Sequence, residues 1–377
     1  MQTFTLNLGG MVPGETYSLR LRQYGSDKGG PSVYMQAALH ADELPGMAAL
    51  AMLEPQLLAA ESAGKLCGRV TVVPMANPIG ARQFINGRHQ GRFDVADSLN
   101  FNRHHVAIDE QLIERLEGQL TESADDNAAF VRVQMATIAQ QALDDPCLSV
   151  ADQLRWQLFK VASNHQYVLD LHCDNHALVH LYASDSSWPA LAPLHHRIGS
   201  VATMLAEVSG GDPFDEALVR PWLALQRHFG ETKIPMGCHS CTVEFRGSND
   251  VNPDYAEQDA AALLGFLSDI GVYQGEVEHH AAPKRSVIAP LTAMSIIRAT
   301  TGGMVLYDKD IGDWVLTGER VARIHDPLEQ TWLEVFADQT GLIYGRPIKN
   351  WVRRGSVVTK IAGEQPVRVG AVKLLTD

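Results

Sequence analysis

The sequence predicts an α/β protein in which a mixed central sheet flanked by helices is followed by a small all-β, barrel-like domain. Over residues 1–280, apolar strand-like runs alternate with helical patterns, which is typical of a sheet covered by helices. After residue 280, short β-like runs punctuated by glycine follow one another without a helical pattern. A length of 377 residues, at about 150 residues per domain, accommodates both units. We therefore expect domains over 1–280 and 281–377.

The elements of the first domain follow from hydrophobic patterning. Runs that are apolar almost throughout, as in strands buried on both faces, occupy 32–39, 69–75, 167–172, 178–183 and 241–245. Pro45 suits a first helical turn and opens an apolar helical run. Further helices are predicted over 109–120, 127–143, 151–162, 194–208 and 258–270. The segment 105–163 is interpreted as a helical insertion, and a surface position is favoured for it over a role as a substrate lid.

The second domain contains an internal repeat. The pattern Trp-Val-x-x-Gly-x-x-Val-x-x-Ile begins at Trp314 and recurs 37 residues later at Trp351. Two similar halves predict a small quasi-symmetric barrel, which resembles the biotinyl/lipoyl-type barrel. That family carries its modified lysine on the hairpin between the halves, whereas residues 325–341 contain no lysine here. A carrier role is therefore disfavoured, and we expect a barrel without an attached cofactor that helps to wall a cleft.

Composition and charge exclude several classes of function. Lys and Arg number 31 against 44 Asp and Glu, giving a net charge of −13, which disfavours nucleic acid and anionic membranes as partners. We find neither an export signal at the N-terminus nor an apolar span long enough for a transmembrane helix, so we expect a cytoplasmic protein. Five cysteines are too few and odd in number for a disulfide framework. Assembly into a homo-oligomer stays open.

The first motif with chemical meaning is His40-Ala41-Asp42-Glu43, which follows a predicted strand. An H-x-x-E pair at a strand end can bring an imidazole nitrogen and a carboxylate oxygen to one metal ion. The motif is short, however, and a capping glutamate beside a solvated histidine explains it equally well.

A second histidine, His172, ends an apolar strand two residues after Asp170. Asp170 can accept a hydrogen bond from the imidazole N–H and so orient a metal ligand. The alternative is a histidine at the edge of the core that this aspartate satisfies. Two imidazoles and one carboxylate, with a fourth position left to water, are the ligand set of a catalytic zinc site.

The order of these motifs along the chain adds to their meaning. An H-x-x-E on an early strand is followed by Asn102-Arg103, by a histidine ending a later strand, and by a lone Glu244 in a still later strand. The chain thereby resembles the zinc-carboxypeptidase fold and, within it, the succinylglutamate desuccinylase/aspartoacylase family, which also carries a β-rich C-terminal domain. The resemblance covers most of the chain and implies a zinc-dependent catalytic domain over 1–280.

The resemblance implies a metal site and a general base. His40, Glu43 and His172 would bind one Zn²⁺ per chain, and Glu244 would accept a proton from a metal-activated water and pass it to the leaving amine. The alternative for Glu244 is an edge-strand carboxylate paired with Arg246.

The resemblance also implies groups that bind the substrate. Asn102 and Arg103 would grip a substrate carboxylate, for which a guanidinium offers bidentate geometry; the alternative for Arg103 is a structural pair with Asp97 or Asp94. An arginine upstream would stabilise the oxyanion. The candidates are Arg82, Arg88 and Arg92, of which we choose Arg92. From the C-terminal domain, Tyr344 is a candidate to reach the site.

Other features are set aside or limit the substrate. The family's arginine shortly before the general base has no counterpart, because Lys233 is the only cation in 231–244, which disfavours N-acylaspartate and succinylglutamate as substrates. Cys238 and Cys241 have C-x-x-C spacing without a second pair, so a structural zinc or redox site is disfavoured. His104 and His105 adjoin the Asn-Arg pair, and an exposed loop is favoured for them over a place in the pocket.

These observations lead to one functional hypothesis and two alternatives. We expect a zinc-dependent hydrolase that cleaves the amide bond of a small N-acyl amino acid or related N-acylated amine, with a substrate that bears an amide and a carboxylate. The alternative within enzymes is a zinc carboxypeptidase that releases a C-terminal amino acid. The alternative of another class is a non-catalytic metal- or ligand-binding module, against which Glu244 argues because such a module needs no general base.

Overall fold

The structure is a computed structural model that describes residues 1–26, 29–278 and 283–367. In chain order its strands are β1 (Gln2–Gly9), β2 (Thr16–Gly25), β3 (Ser32–Ala37), β4 (Arg69–Val73), β5 (Phe84–Ile85), β6 (Arg88–His89), β7 (Tyr167–Asp174), β8 (His176–Ala177), β9 (His180–Ala183), β10 (Ala202–Leu205), β11 (His239–Gly247), β12 (Val287–Pro290), β13 (Met294–Arg298), β14 (Gly303–Tyr307), β15 (Trp314–Val315), β16 (Arg320–Asp326), β17 (Thr331–Phe336), β18 (Gly341–Arg346), β19 (Trp351–Val352) and β20 (Val357–Ala362). The helices are α1 (Pro45–Ser62), α2 (Asp109–Leu116), α3 (Ala124–Leu143), α4 (Val150–Ala162), α5 (Trp188–Arg197), α6 (Phe214–Phe229) and α7 (Pro253–Asp269).

Nine strands form one large mixed sheet in the order β1-β2-β4-β3-β7-β11-β9-β10-β12. At its centre β4, β3, β7 and β11 run parallel, while β9 runs antiparallel to β11. The central strands are buried along most of their length, as expected for strands covered on both faces. The carboxyl ends of β3, β7 and β11 therefore meet at one edge of the sheet.

Helices cover both faces of this sheet and enclose a separate hydrophobic core on each side. One core contains apolar side chains of α2, α3, α4 and α6, and the other contains those of α1, α5 and α7. The predicted mixed α/β class is thus confirmed.

The segment 105–163 is more deeply buried in the protein than the sequence indicates. Its helices contribute Leu112, Val131, Met135 and Phe159 to the first core, where they pack together with residues of α6. The segment covers one face of the sheet, so the expectation of a surface excursion is wrong: its apolar helical spacing serves the main core.

One predicted helix is wrong and one helix of the structure was not predicted, and both differences have local reasons. The predicted helix over 194–208 is wrong: α5 ends at Arg197, Gly199 adopts a positive φ of 64°, and the chain then enters β10. A residue in the left-handed region ends a helix, and glycine adopts that conformation readily. The helix α6 was not predicted, because Pro221 lies within it and interrupts the helical pattern.

The C-terminal part is rich in strands, as predicted. The repeat is visible in the backbone: β15 and β19 each lead through a glycine of positive φ, Gly318 and Gly355, into the longer strands β16 and β20. Apart from β12, which joins the large sheet, the described strands of this part form two separate sheets, with orders β13-β20-β18-β15 and β17-β16-β14-β19, which share one hydrophobic core. The hydrogen bonds between these strands therefore do not show the predicted closed barrel.

The two parts of the chain are joined by strand pairing. β12 pairs in parallel with β10 of the large sheet, and β8 pairs with β18 of the C-terminal part. The predicted domain boundary between 280 and 281 lies outside the described residues. Of the helices in the described ranges, none is both long and apolar enough to cross a membrane.

The start of α1 packs so closely on β7 that only glycine fits at its second residue. A Cβ on Gly46 would lie 2.8 Å from the Leu171 Cβ and 2.9 Å from the Leu171 carbonyl oxygen. We predict that Gly46→Ala lowers the free energy of unfolding, because overpacking against backbone costs about 1–3 kcal/mol and exceeds the gain of about 1 kcal/mol in helix propensity. Denaturant unfolding measures the difference.

The matched control is Gly302→Ala, where a Cβ would meet only the Val352 carbonyl oxygen at 3.5 Å. This variant should unfold with little change in free energy. A Gly46→Ala protein as stable as the wild type would contradict the packing argument.

Candidate metal centre and active-site cleft

A cleft opens at the edge of the large sheet where the carboxyl ends of β3, β7 and β11 meet. His40 lies in the loop after β3, His172 lies near the end of β7, and Glu244 stands opposite His172 in the register of β7 and β11. Parallel pairing thus brings together residues that are far apart in sequence. The cleft is open to solvent and comprises about 970 Å³ of space when the open solvent at its mouth is included.

Each oxygen of the Glu43 carboxylate contacts the imidazole of a buried histidine. His40 Nδ1 lies 2.9 Å from Glu43 Oε1, and His172 Nδ1 lies 2.8 Å from Glu43 Oε2. The three side chains offer one ligand atom each within 4.8 Å of one another, and all three are buried. The two imidazoles and the carboxylate are thus brought together as the H-x-x-E…H pattern predicts.

The far nitrogen of each imidazole contacts an acceptor. His40 Nε2 lies 2.8 Å from Asn100 Oδ1, an oxygen that also accepts the Asn102 backbone N–H at 2.8 Å. His172 Nε2 lies 2.9 Å from Asp170 Oδ2. Asn100 Oδ1 and Asp170 Oδ2 are acceptors, so both rings carry hydrogen on Nε2 and face Glu43 with Nδ1, which is an electron-pair donor whenever it carries no proton. Three electron-pair donors therefore converge on one point, which is the arrangement that a divalent cation satisfies.

A chain of buried hydrogen bonds fixes Asp170. The Tyr34 hydroxyl donates to Gln36 Oε1 at 2.7 Å, and Gln36 Nε2 donates to Asp170 Oδ1 at 2.9 Å. With one oxygen held by Gln36, the other is presented to His172. Asp170 thus orients the imidazole of His172, which is the role that its position in the sequence suggested.

The electrostatics of this centre favour positive charge at His172, whereas burial and the charge of Arg92 lower the pKa of His40. Burial by itself opposes ionisation of Glu43, but the charges of His40, Arg92 and His172 hold its pKa well below the ordinary value. Burial likewise opposes a charge on His172, yet Asp170 and Glu43 raise its pKa well above the ordinary value. A field that draws a proton to His172 also draws a metal cation, and the cation satisfies all three donors at once.

Of the three candidate arginines, Arg92 is the one that lines the cleft. Its Nη2 donates to Glu43 Oε1 at 2.6 Å. The preceding Gly91 packs on the loop that carries His40 and Glu43, so closely that a Cβ there would overlap the Asp42 backbone nitrogen. This contact sets Arg92 beside the metal-ligand candidates.

The other two arginines lie away from the cleft. The guanidinium of Arg82 lies over the Tyr17 ring, 5.2 Å from its centroid. Arg88 belongs to the short exposed strand β6.

Asn102 and Arg103 both line the cleft. Asn102 Oδ1 accepts the backbone N–H of Phe214 at 2.9 Å, which leaves its amide Nδ2 near His172 Nε2 at 3.4 Å. Arg103 Nη1 donates to the Asn102 backbone oxygen at 2.7 Å. The Asn-Arg pair is therefore attached to the first turn of α6, on the side of the cleft that this helix forms.

Glu244 faces the cleft from β11 with one carboxylate oxygen unsatisfied. Its Oε2 is buried and has no hydrogen-bond partner among the described residues. Burial and the charge of Glu43 raise the pKa of Glu244 to about 8. Arg246, the partner in the alternative interpretation, instead forms a buried ion pair with Asp259.

The C-terminal part contributes a cation to the cleft. Lys360 of β20 lines it and forms an ion pair with Asp174 at the end of β7. Tyr344 is buried, and its ring lies 5.0 Å from that of His180, centroid to centroid. Its hydroxyl contacts Tyr182, which lines the cleft, so Tyr344 lies behind the cleft wall and supports it.

The motifs that were set aside lie away from the metal-ligand candidates. Cys238 and Cys241 belong to the cores on opposite faces of the sheet and therefore cannot share a metal ion. His104 is exposed, whereas His105 is buried against Phe214 with ring centroids 5.3 Å apart. The prediction of an exposed loop is thus confirmed for His104 and wrong for His105, whose ring fills a gap beside α6.

Several cleft residues were not found from the sequence. Ser240 and Thr242 precede Glu244 at spacings of four and two, so strand alternation around Glu244 could have revealed them. Asp215 begins a helix that was not predicted, and Lys360 depends on how the C-terminal part packs, for which local sequence holds no signal.

Comparison with known proteins identifies the family. The sequence model described as the succinylglutamate desuccinylase/aspartoacylase catalytic domain matches residues 29–270, which is more than half of the chain. No curated protein matches the chain.

Solved structures share the fold over almost the whole chain. A succinylglutamate desuccinylase/aspartoacylase family protein from Shewanella amazonensis is 23% identical, with a TM-score of 0.83 and coverage of 96% of this chain and 98% of that one. A second such protein, from Shewanella frigidimarina, is 22% identical, with a TM-score of 0.83 and coverage of 96% and 97%.

A third solved structure is more distant. The ectoine utilization protein EutE (DoeB) from Ruegeria pomeroyi is 17% identical, with a TM-score of 0.66 and coverage of 96% and 95%. These likenesses establish the fold, and the match of the catalytic domain extends over β3 to α7, which carry the metal-ligand candidates and Glu244. The chain belongs to the succinylglutamate desuccinylase/aspartoacylase family.

Proposed function

We propose that this protein is a zinc-dependent hydrolase that cleaves the amide bond of a small N-acyl amino acid or a related N-acylated amine. The observation that carries the proposal is the convergence of His40 Nδ1, His172 Nδ1 and Glu43 beside the unsatisfied carboxylate of Glu244. Family membership supports hydrolysis of an amide. When bound, zinc acidifies a water and polarises a carbonyl group.

Glu244 is suited to moving the proton. Its free Oε2 faces the cleft beside the metal-ligand candidates, and its raised pKa makes it a stronger base than an exposed carboxylate. It accepts a proton from the attacking water and delivers it to the nitrogen of the leaving amine. The amide is thereby split into a carboxylate and an amine.

Arg92 and the Asn-Arg pair divide the remaining tasks. Arg92 lies against Glu43 at the cleft wall, where its guanidinium can stabilise negative charge developing on the carbonyl oxygen. Arg103 and Asn102 lie on the side of α6, where they can hold a carboxylate of the substrate. The amino-acid part of the substrate therefore binds at the α6 side of the cleft.

The C-terminal part supports a small substrate. Because Lys360 of β20 reaches the cleft, this part walls one side of it and narrows the space for a polypeptide. We propose the division into domains 1–280 and 281–377 on the same basis.

We predict that the protein binds one zinc ion per chain and that His172→Ala abolishes this binding, because a carboxylate and one imidazole are too few for a tetrahedral protein site. Elemental analysis of the purified, zinc-loaded proteins gives the stoichiometry. The matched control is His104→Ala, which removes an exposed histidine and should leave one zinc. Retention of zinc in His172→Ala with loss in a Cys238→Ser, Cys241→Ser double variant would refute the site.

We predict that Glu244→Gln keeps zinc and the fold but lowers kcat for amide hydrolysis by about 10²–10⁴-fold, because the amide cannot take the water proton. Steady-state rates with N-acetyl, N-succinyl and N-formyl amino acids, run beside C-terminal dipeptides, measure the loss and separate a deacylase from a carboxypeptidase. Turnover within a few-fold of the wild type would show that another residue is the base.

The same variant has a signature in stability. Because the pKa of Glu244 in the folded protein (about 8) lies above its ordinary value, ionisation opposes folding. Stability that is present below the ordinary pKa is therefore lost as pH rises towards 8. In chelator-treated protein, the free energy of unfolding should fall less between pH 5 and 8 for Glu244→Gln than for the wild type, and equal slopes would contradict the raised pKa.

We predict that Arg103→Lys raises KM for a carboxylate-bearing substrate with a smaller effect on kcat, because an ammonium cannot reproduce the planar fork of a guanidinium. The control substrate is amidated at that carboxylate: the wild type should handle it poorly, and the variant no worse. Equal turnover of free-acid and amidated substrates by the wild type would assign Arg103 another role.

A further inference from the structure

Beyond the metal-ligand candidates, the cleft continues into a recess between α6 and β11. We call this recess the α6 pocket and define it by Asp215, Glu216 and Val219 of α6 together with Ser240 and Thr242 of β11, all of which line the cleft. The proposed chemistry uses none of these five residues.

Strand alternation produces one wall of the α6 pocket. Ser240, Thr242 and Glu244 occur at every second position of β11, and all three line the cleft. The residues between them, Cys241 and Val243, belong to the core on the other face. A row of polar side chains thus leads from the proposed general base into the pocket.

Two polar atoms of the α6 pocket are buried without a partner. Asp215 is 8% exposed, and its Oδ1 has no hydrogen-bond partner within the described ranges. The Ser240 hydroxyl oxygen is likewise buried and has no hydrogen-bond partner within those ranges. A buried acceptor left unpaired costs about 1–3 kcal/mol, and more when it is charged, so such an atom beside a cleft points to a ligand that supplies the missing donor.

The charges around Asp215 indicate which donor. Glu216 lies next to it on the cleft wall and accepts the Ser209 backbone N–H at 2.6 Å, and the exposed Glu207 lines the same end of the cleft. Arg220, one turn further along α6, forms ion pairs with Asp109 and Asp212 instead. Burial and the charges of Glu216 and Asp170 raise the pKa of Asp215 to about 7, so a cation would relieve the unfavourable field at this carboxylate.

The position of Arg103 links this pocket to the substrate. Arg103 packs on Gly211, where a Cβ would lie 2.7 Å from its Cδ, and Asn102 holds the first turn of α6 through Phe214. Arg103 and Asp215 line the same cleft, so a substrate whose carboxylate is held by Arg103 can extend its remaining atoms towards the α6 pocket.

We propose that the α6 pocket binds an ammonium group, so that the substrate is an N-acylated diamino acid that keeps one free amine. Asp215 Oδ1 accepts from this ammonium, and the Ser240 hydroxyl contributes a second acceptor. The inference rests on the proposed function and deepens it by naming the substrate class.

Other side chains fit the α6 pocket less well. A carboxylate would lie against Asp215 and Glu216, and like charges disfavour binding. An apolar side chain would seal Asp215 Oδ1 from water without pairing it, which a site built around a polar atom does not tolerate.

The experiment compares substrates of matched length. We expect kcat/KM for an acetylornithine to exceed that for its amine-free match by about 10- to 100-fold, the range of a charge-assisted hydrogen bond, and N-acetyl-L-glutamate to be the poorest; the match is N-acetyl-L-norvaline for Nα-acetyl-L-ornithine and 5-acetamidopentanoate for Nδ-acetyl-L-ornithine. Nα-acetyl-L-ornithine and Nδ-acetyl-L-ornithine are run as separate arms, which decide whether Asp215 holds a side-chain or an α-ammonium. Equal rates for ornithine and norvaline derivatives, or a preference for glutamate, would overturn the inference.

Variants test whether Asp215 carries the preference. Asp215→Asn is nearly isosteric and should remove most of the selectivity for acetylornithine while leaving N-acetylnorvaline within a few-fold, and Ser240→Ala should remove a smaller part. The matched control is Asp125→Asn, which makes the same change of charge in the exposed first turn of α3 and should leave selectivity unchanged. Retained zinc and an unchanged melting temperature show that Asp215→Asn is folded; if it is not, the wild-type selectivity series decides alone.

A binding measurement separates this inference from the proposed function. Calorimetric titration of zinc-loaded Glu244→Gln with the same compounds reports affinity without turnover. Tighter binding of an acetylornithine together with no hydrolysis by the wild type would refute the deacylase and keep the ammonium site. Equal affinity for the ornithine and norvaline derivatives would refute the ammonium site whatever the rates.

Discussion

The carboxylate of Glu43 is the point on which the centre of this structure depends. It is buried, and two imidazoles, the guanidinium of Arg92 and the Cys173 backbone N–H all converge on its two oxygens. A carboxylate in that position is stable only while positive charge or hydrogen-bond donors surround it. The packing of Gly46 on β7 and of Gly91 on the loop that carries His40 and Glu43 holds the backbone that brings these groups together.

The sheet supplies the rest of the geometry. Parallel pairing of β3, β7 and β11 places the ends of three strands at one edge, and the register sets Glu244 opposite His172. The hydrogen bonds of Asn100 and Asp170 then decide which nitrogen of each histidine faces Glu43. The identity of the metal-ligand candidates therefore comes from a few residues, whereas their orientation comes from neighbours that a motif does not contain.

The sequence predicts those parts of the site that local pattern determines. His40, Glu43 and His172 end apolar strands or follow them. Arg92 was chosen from a segment with three arginines, and what distinguishes it from the other two is the packing of Gly91 in the structure. The five strands and most of the helices that were predicted in the first domain lie near their observed bounds for the same reason.

The remainder depends on contacts between distant segments. Lys360 reaches the cleft through the packing of the C-terminal sheets, and Asp215 begins a helix whose internal proline obscured it. The segment 105–163 shows the same limit, because its helical spacing does not tell whether its apolar face meets the main core or a surface cleft.

The most direct test of this account is a crystal structure with diffraction recorded at the zinc absorption edge. The account predicts one anomalous peak per chain, about 2.0–2.2 Å from His40 Nδ1, from His172 Nδ1 and from a Glu43 oxygen, with both Nε2 atoms still hydrogen-bonded to Asn100 and Asp170. A zinc ion bound through Nε2, a peak at another place in the chain, or no peak after zinc loading would contradict it.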